Sequence, residues 1–143
     1  MGLDMYLSGS HFNATLIKKE DGSFEEKDRP LLEDKYPIES HDILLGYWRK
    51  HPDLHGMIVE TFADSVDECQ KIPLTKDQLQ VIIDAVKSDN LVKDHNGFFF
   101  GNSTENGSYS KESKDETIKN FELAMEFLEE DEHWRDVWYR ASW

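Results

Sequence analysis

Four groups of residues in the chain are of types that do chemistry. In the stretch GYWRKHPDLHGMIV, residues 46–59, His51 and His55 stand four apart, the spacing of two metal ligands on one helical face. Pro52 suits the first turn of a helix, which makes His51 the residue before it and spoils that spacing. No Glu follows His51 as in zinc hydrolases, no Cys pair completes a structural site, and a third ligand would have to come from His41, His95 or a carboxylate. The pair therefore reads as a turn His51 and a semi-buried, hydrogen-bonded His55, with no metal and no cofactor. Trp48 and Arg49 form the second group: an indole offers a stacking face, and a guanidinium a fork for phosphate or carboxylate. Strand alternation puts Tyr47 and Arg49 on one face and Trp48 and Lys50 on the other, so one flat site cannot use both. Trp48 then reads as core and Arg49 as one half of an ion pair. Third, Asp4 and Tyr6 share the face opposite an apolar stripe, where Arg49 or Arg140 could complete a polar cluster. Last, Cys69 would be a nucleophile only with a His beside it. Next to an apolar run it reads as a small buried hydrophobe. The candidate binding set is Asp4, Tyr6, Trp48, Arg49 and His55; no catalytic residue is assigned.

The elements that must position these groups follow from periodicity. GLDMYLS alternates, with Leu3, Met5 and Leu7 on one side, and predicts a half-buried strand. ATLIKKE predicts a second short strand. Residues 19–42 are charged, contain Pro30 and Pro37 and lack a period, so they read as a long loop. ILLGYWRK predicts a strand that feeds, through Pro52, a helix with Leu54, Ile58 and Phe62 on its buried stripe. CQKIPL reads as a connector or short strand. Thr75 and Gln78 form a capping box for a helix burying Leu79, Ile82, Ile83 and Val86. GFFFG at 97–101 predicts a buried strand. Ser113 and Glu116 predict a second capping box for a long helix that stops near Glu130. RDVWYRASW alternates Val137, Tyr139, Ala141 and Trp143 against Trp138, Arg140 and Ser142, a closing strand that can lie beside the first. Trp48, Phe99 and Trp143 are expected to anchor the core. The expected fold is α+β: one domain over residues 1–143, with a mostly antiparallel sheet and three helices on one face.

Composition bounds the function. The 143 residues carry 30 acidic and 16 basic side chains, a formal net charge of −14, with 12% aromatics. That aromatic content belongs to a folded chain. The charge argues against direct contact with nucleic acid or an anionic membrane and favours a basic protein partner. The run Glu129, Glu130, Asp131 and Glu132 lies where a helix dipole disfavours negative charge. With Glu25, Glu26 and Asp28 it is a candidate surface for such a partner. One cysteine excludes an intrachain disulfide and fits a reducing cytoplasm. No apolar run approaches membrane-spanning length, and the N-terminus has no signal-peptide pattern.

MGLDMYL, GYWRK followed by LH, GFFFG and the final YRASW together resemble a family of small uncharacterised proteins of bacteria and their phages. The resemblance covers nearly the whole chain outside 19–42. The chain departs from the family pattern at Pro52 and Met57, where relatives read Asn and Trp. The label phosphoglycerate kinase carried by some relatives does not fit a chain too short for two lobes and lacking a Gly-rich phosphate cradle. The resemblance implies a phage or prophage setting. The expectation is a non-enzymatic, acidic cytoplasmic protein that binds a protein partner, such as a basic host protein. The alternative is a small-molecule-binding protein or small enzyme with a polar site around Asp4, Tyr6, Arg49 and His55. The sequence assigns no oligomeric state.

Overall fold

A computed structural model describes residues 2–91, 102–131 and 134–143. The expected GFFFG strand, with Phe99, lies outside the described residues, as do His95 and Glu132. In chain order the elements are β1 (Asp4–Phe12), β2 (Leu16–Lys18), β3 (Phe24–Glu26), β4 (Leu31–Leu32), β5 (Tyr36–Pro37), β6 (Ser40–Arg49), α1 (Pro52–Phe62), β7 (Ile72–Pro73), α2 (Lys76–Lys87), α3 (Lys111–Glu130) and β8 (Arg135–Ser142). The fold is α+β, with the main sheet ordered β6-β1-β8-β7 and every pairing antiparallel. The first and last strands are neighbours, Tyr6 lying opposite Arg140.

Alternation decides the two faces of this sheet. Leu3, Met5 and Leu7 join Val137, Tyr139 and Ala141 in one buried cluster with Leu54 and Ile58 of α1, Leu79, Ile82, Ile83 and Val86 of α2, and Phe121 and Ala124 of α3. The three helices thus cover one side. Trp48 lies on that inner side, stacked on Phe121 with ring centroids 5.3 Å apart, its indole N–H donating to Thr117 Oγ1 at 2.8 Å. Between Leu7 and Ser8 the pairing with β6 slips, Leu7 facing Gly46 and Ser8 facing Leu44. The extra residue, Leu45, is a β-bulge whose side chain is buried.

Local chemistry explains the helix ends. Pro52 opens α1. Thr75 and Gln78 form the capping box of α2, the Thr75 hydroxyl accepting from the Gln78 N–H and the Gln78 side chain from the Thr75 N–H. The start of α3 differs from expectation. Its cap is Ser110, whose hydroxyl accepts from the Ser113 N–H, so Ser113 lies inside the helix rather than before it. Its acidic end is partly offset by Arg135 of β8, whose Nη1 donates to Glu130 at 2.7 Å and to the Phe127 carbonyl at 3.0 Å.

Residues 19–42 also differ from a structureless loop. Leu16–Lys18 pairs with Phe24–Glu26, the turn helped by Gly22 at φ +85° and by Asp21 accepting from the Ser23 N–H. Leu31–Leu32 pairs with Tyr36–Pro37 through Glu33 and Asp34, both at positive φ as a type I′ turn requires, and β6 begins at Ser40. Strands of two or three residues are too short to show a period. Two further expectations shift. Trp143 follows β8 but stays 45% exposed, and Cys69 is half-buried in a loop at φ 57° rather than in the core. Among the described residues, no helix is long and apolar enough to cross a membrane.

Candidate functional site

Cross-strand partners share a face, and the outer face of the sheet can be read from the register. Arg49, Asp4 and Ser142 form one row; Tyr47, Tyr6 and Arg140 the next; Leu44, Ser8 and Trp138 the third. The helices lie on the other side, so this face meets solvent: Tyr6 is 36%, Tyr47 46% and Leu44 61% exposed. The Tyr6 and Tyr47 rings lie 5.3 Å apart. The Tyr47 hydroxyl donates to Asp4 Oδ1 at 2.6 Å, and that bond raises its pKa above the usual phenol value by stabilising the protonated form. Arg49 Nε stands 3.9 Å from the same carboxylate oxygen. Beside them, the Lys71 ammonium lies 4.4 Å from the centre of the Trp138 ring.

The structure therefore brings Asp4, Tyr6 and Arg49 together and places Trp48 and His55 elsewhere. Trp48 belongs to the core, as alternation requires. His55 lies under the opposite face of the sheet. Its Nδ1 accepts from the Tyr139 hydroxyl at 2.6 Å, and its Nε2 donates to Asp67 Oδ2 at 2.8 Å. Burial raises the Tyr139 pKa, so that hydroxyl keeps the proton it donates. Asp67 Oδ1 in turn accepts from the Trp143 indole N–H at 3.2 Å. This chain of bonds ties α1 to β8 and to the C-terminus. A polar site sharing Asp4, Tyr6, Arg49 and His55 is not formed, because the sheet itself separates His55 from the rest.

A second buried network surrounds the start of α1. His51 Nδ1 pairs with Ser103 Oγ at 2.9 Å, and the same hydroxyl accepts from the Asp53 N–H at 3.1 Å. The Tyr109 hydroxyl donates to Asp53 Oδ2 at 2.5 Å. Burial, joined by that bond to Asp53, pushes the Tyr109 pKa up. Burial pushes the His51 imidazole down to about 4, against a weaker opposing pull from the Asp53 carboxylate. A hydroxyl beside a neutral imidazole looks like a nucleophile and its base. Here Ser103 and His51 are both buried, and the hydroxyl lies within the bonds that fix the helix start. Nearby, Arg49, His51, Asn106 and Glu116 border a cleft of about 170 Å³, roomy enough only for a few waters or a very small ligand.

Sequence reasoning missed Asp53, Asp67, Ser103, Tyr109 and Tyr139 as hydrogen-bonding partners. A signal existed for Tyr139: a tyrosine in a buried stripe needs a partner for its hydroxyl. Leu44, Trp138 and Arg140 complete the outer face, and for the last two the alternation of β8 had already set them opposite the buried stripe. Among the described residues no three His, Cys, Asp or Glu side chains are arranged to hold a metal ion. Comparison of the chain with protein-family models, curated proteins and solved structures finds no match.

Proposed function

We propose that the protein is a non-enzymatic interaction module that docks a basic protein partner on the open face of its sheet. One observation carries this reading. A face with the helical layer behind it presents Tyr6, Tyr47, Leu44 and the half-buried Trp138, flanked by Arg49 and Arg140, with Lys71 over the Trp138 ring and the Cys69 carbonyl holding Arg140 at its edge. Tyrosine, tryptophan and arginine are the side chains that dominate binding energy at protein interfaces. Phe24, Leu31, Leu32 and Tyr36 on the two hairpins add further exposed apolar side chains.

Charge selects the partner. The net −14 of the chain steers a positively charged protein toward it. Acidic side chains along the solvent side of α3, among them Glu112, Asp115, Glu122, Glu126 and Glu129, supply part of that field. The outer face itself carries both signs, Arg49 and Arg140 at one end and Asp42 and Asp136 at the other, so contact there meets no single-sign barrier. The reading places the protein in the cytoplasm, and the resemblance of its end and middle motifs supplies the phage or prophage setting.

The test compares capture from a bacterial lysate by the wild type and by the Tyr6→Ser, Tyr47→Ser double variant, which has the same net charge. The reading expects basic proteins to be held by the wild type and lost by the variant at unchanged melting temperature. It also expects hydrogen-exchange protection confined to β1, β6 and β8 in the complex. The same proteins captured by both forms would leave only non-specific charge and sink the reading.

A further inference from the structure

A wide cleft lies away from the outer sheet face, where the β2–β3 hairpin folds back beside the end of β1 and the start of β8. Its volume is about 1070 Å³, just above the ~300–1,000 Å³ range of ligand pockets. Charge is distributed there against the trend of the chain. Acids outnumber bases 30 to 16 overall, yet Lys18, Lys19, Lys27 and Arg29 line this cleft against Glu20, Asp28 and Asp131. Among the described residues none of the four cations has an ion-pair partner. Arg29 is half-buried and fixed: its Nε donates to the Asn13 carbonyl at 3.1 Å, and its guanidinium lies 5.7 Å from the centre of the Phe12 ring. The guanidinium donors not taken by that carbonyl remain able to fork onto an anion in the cleft. Phe12 also pairs with Trp134, ring centroids 5.6 Å apart at 32°, and both line the cleft. An aromatic wall thus adjoins a cationic one.

We propose that this cleft binds a small phosphate ester carrying a flat ring, a ligand of the nucleotide class. The ring packs against Phe12 and Trp134, where stacking tolerates any base. The phosphate lies against Arg29, with Lys18 and Lys27 beside it. Size and charge favour a free mononucleotide over a nucleic-acid strand. A mononucleotide meets chiefly the field within a Debye length of about 8 Å, where four cations face three carboxylates and leave a local excess of one positive charge. A strand would continue over a surface of net −14.

The test is calorimetric titration of the full chain, at physiological ionic strength, with AMP, adenosine, inorganic phosphate and a single-stranded oligonucleotide. AMP should bind at least about tenfold tighter than adenosine or phosphate, since both walls are used only by the joined ligand. Arg29→Gln should weaken AMP binding about tenfold or more, the loss of a charge-assisted bond. Because Arg29 also packs on Phe12, the exposed pair Lys18→Gln, Lys27→Gln provides a second variant, expected to weaken AMP several-fold at unchanged melting temperature. Lys87→Gln, on α2, should leave AMP binding as it is. AMP no tighter than phosphate, equal AMP affinity in both cleft variants, or an oligonucleotide bound tighter than AMP would each overturn the inference.

Discussion

The stability of this fold should fall on mild acidification through one imidazole. His51 is 3% exposed, its Nδ1 bonds Ser103 Oγ at 2.9 Å, and burial holds its pKa at about 4. In the unfolded chain the same imidazole titrates near ~6.5. Between those values the unfolded state binds a proton that the folded state refuses. Stability is therefore full above about pH 6.5 and is lost progressively as the pH falls toward 4. The gap of about 2.5 pH units corresponds to about 3 kcal/mol in all, and about 2 kcal/mol of that is gone by pH 5. His51→Gln keeps an acceptor for the Ser103 hydroxyl and removes the titration. Urea unfolding of both proteins at pH 7.5, 6 and 5 separates this contribution from carboxylates and other histidines, which both share. The wild type should lose about 2 kcal/mol more than the variant between pH 7.5 and 5. Parallel stability curves would refute the reasoning and mean that His51 takes up its proton in the folded state.

Tyr139→Phe removes the donor to His55 Nδ1 inside the core. It should cost about 1–3 kcal/mol, a fall of several degrees in thermal melting for a domain of this size; an unchanged melting temperature would show that the hydroxyl is dispensable. At Gly9 an added methyl would stand 2.7 Å from Phe127 Cε1 and 3.2 Å from Leu45 Cδ1. Gly9→Ala should therefore destabilise by about 1–3 kcal/mol in urea through overpacking, and a stability equal to wild type would mean that Phe127 moves aside freely.

What the sequence made legible was set by period and length. β1 and β8 alternate over eight or nine residues, and α2 carries its capping box and an apolar stripe, so their type and faces could be read directly. The hairpins of 16–37 have strands of two or three residues and no buried face, which leaves no pattern to find. At α3 two serines three apart both suit a cap; Ser113 has Glu116 at the right distance, but Ser110 is the one used. For the site, alternation alone put Tyr47 and Arg49 opposite Trp48. The separation of His55 from Asp4 was implicit in the expectation of helices on one face, since a helix packed on the apolar stripe of β1 lies on the side opposite Asp4. The cationic cleft was hidden: its charges come from a hairpin that read as loop, and its aromatics from residues far apart in the chain.

Leu45 joins two phases of one strand. Before it, even-numbered residues of β6, Asp42 and Leu44, look outward; after it, odd-numbered ones, Tyr47 and Arg49, do so. The extra residue is a phase shift written into a strand whose side-chain period is two. Were Leu45 paired regularly, the phase of 42–44 would run on and turn Tyr47 and Arg49 into the core and Trp48 out to solvent; the bulge prevents this, and deleting Leu45 would join Leu44 to Gly46 in a regular ladder with both faces kept. A one-codon deletion of Leu45 would thus leave Tyr47 and Arg49 facing outward and remove chiefly the buried Leu45 side chain.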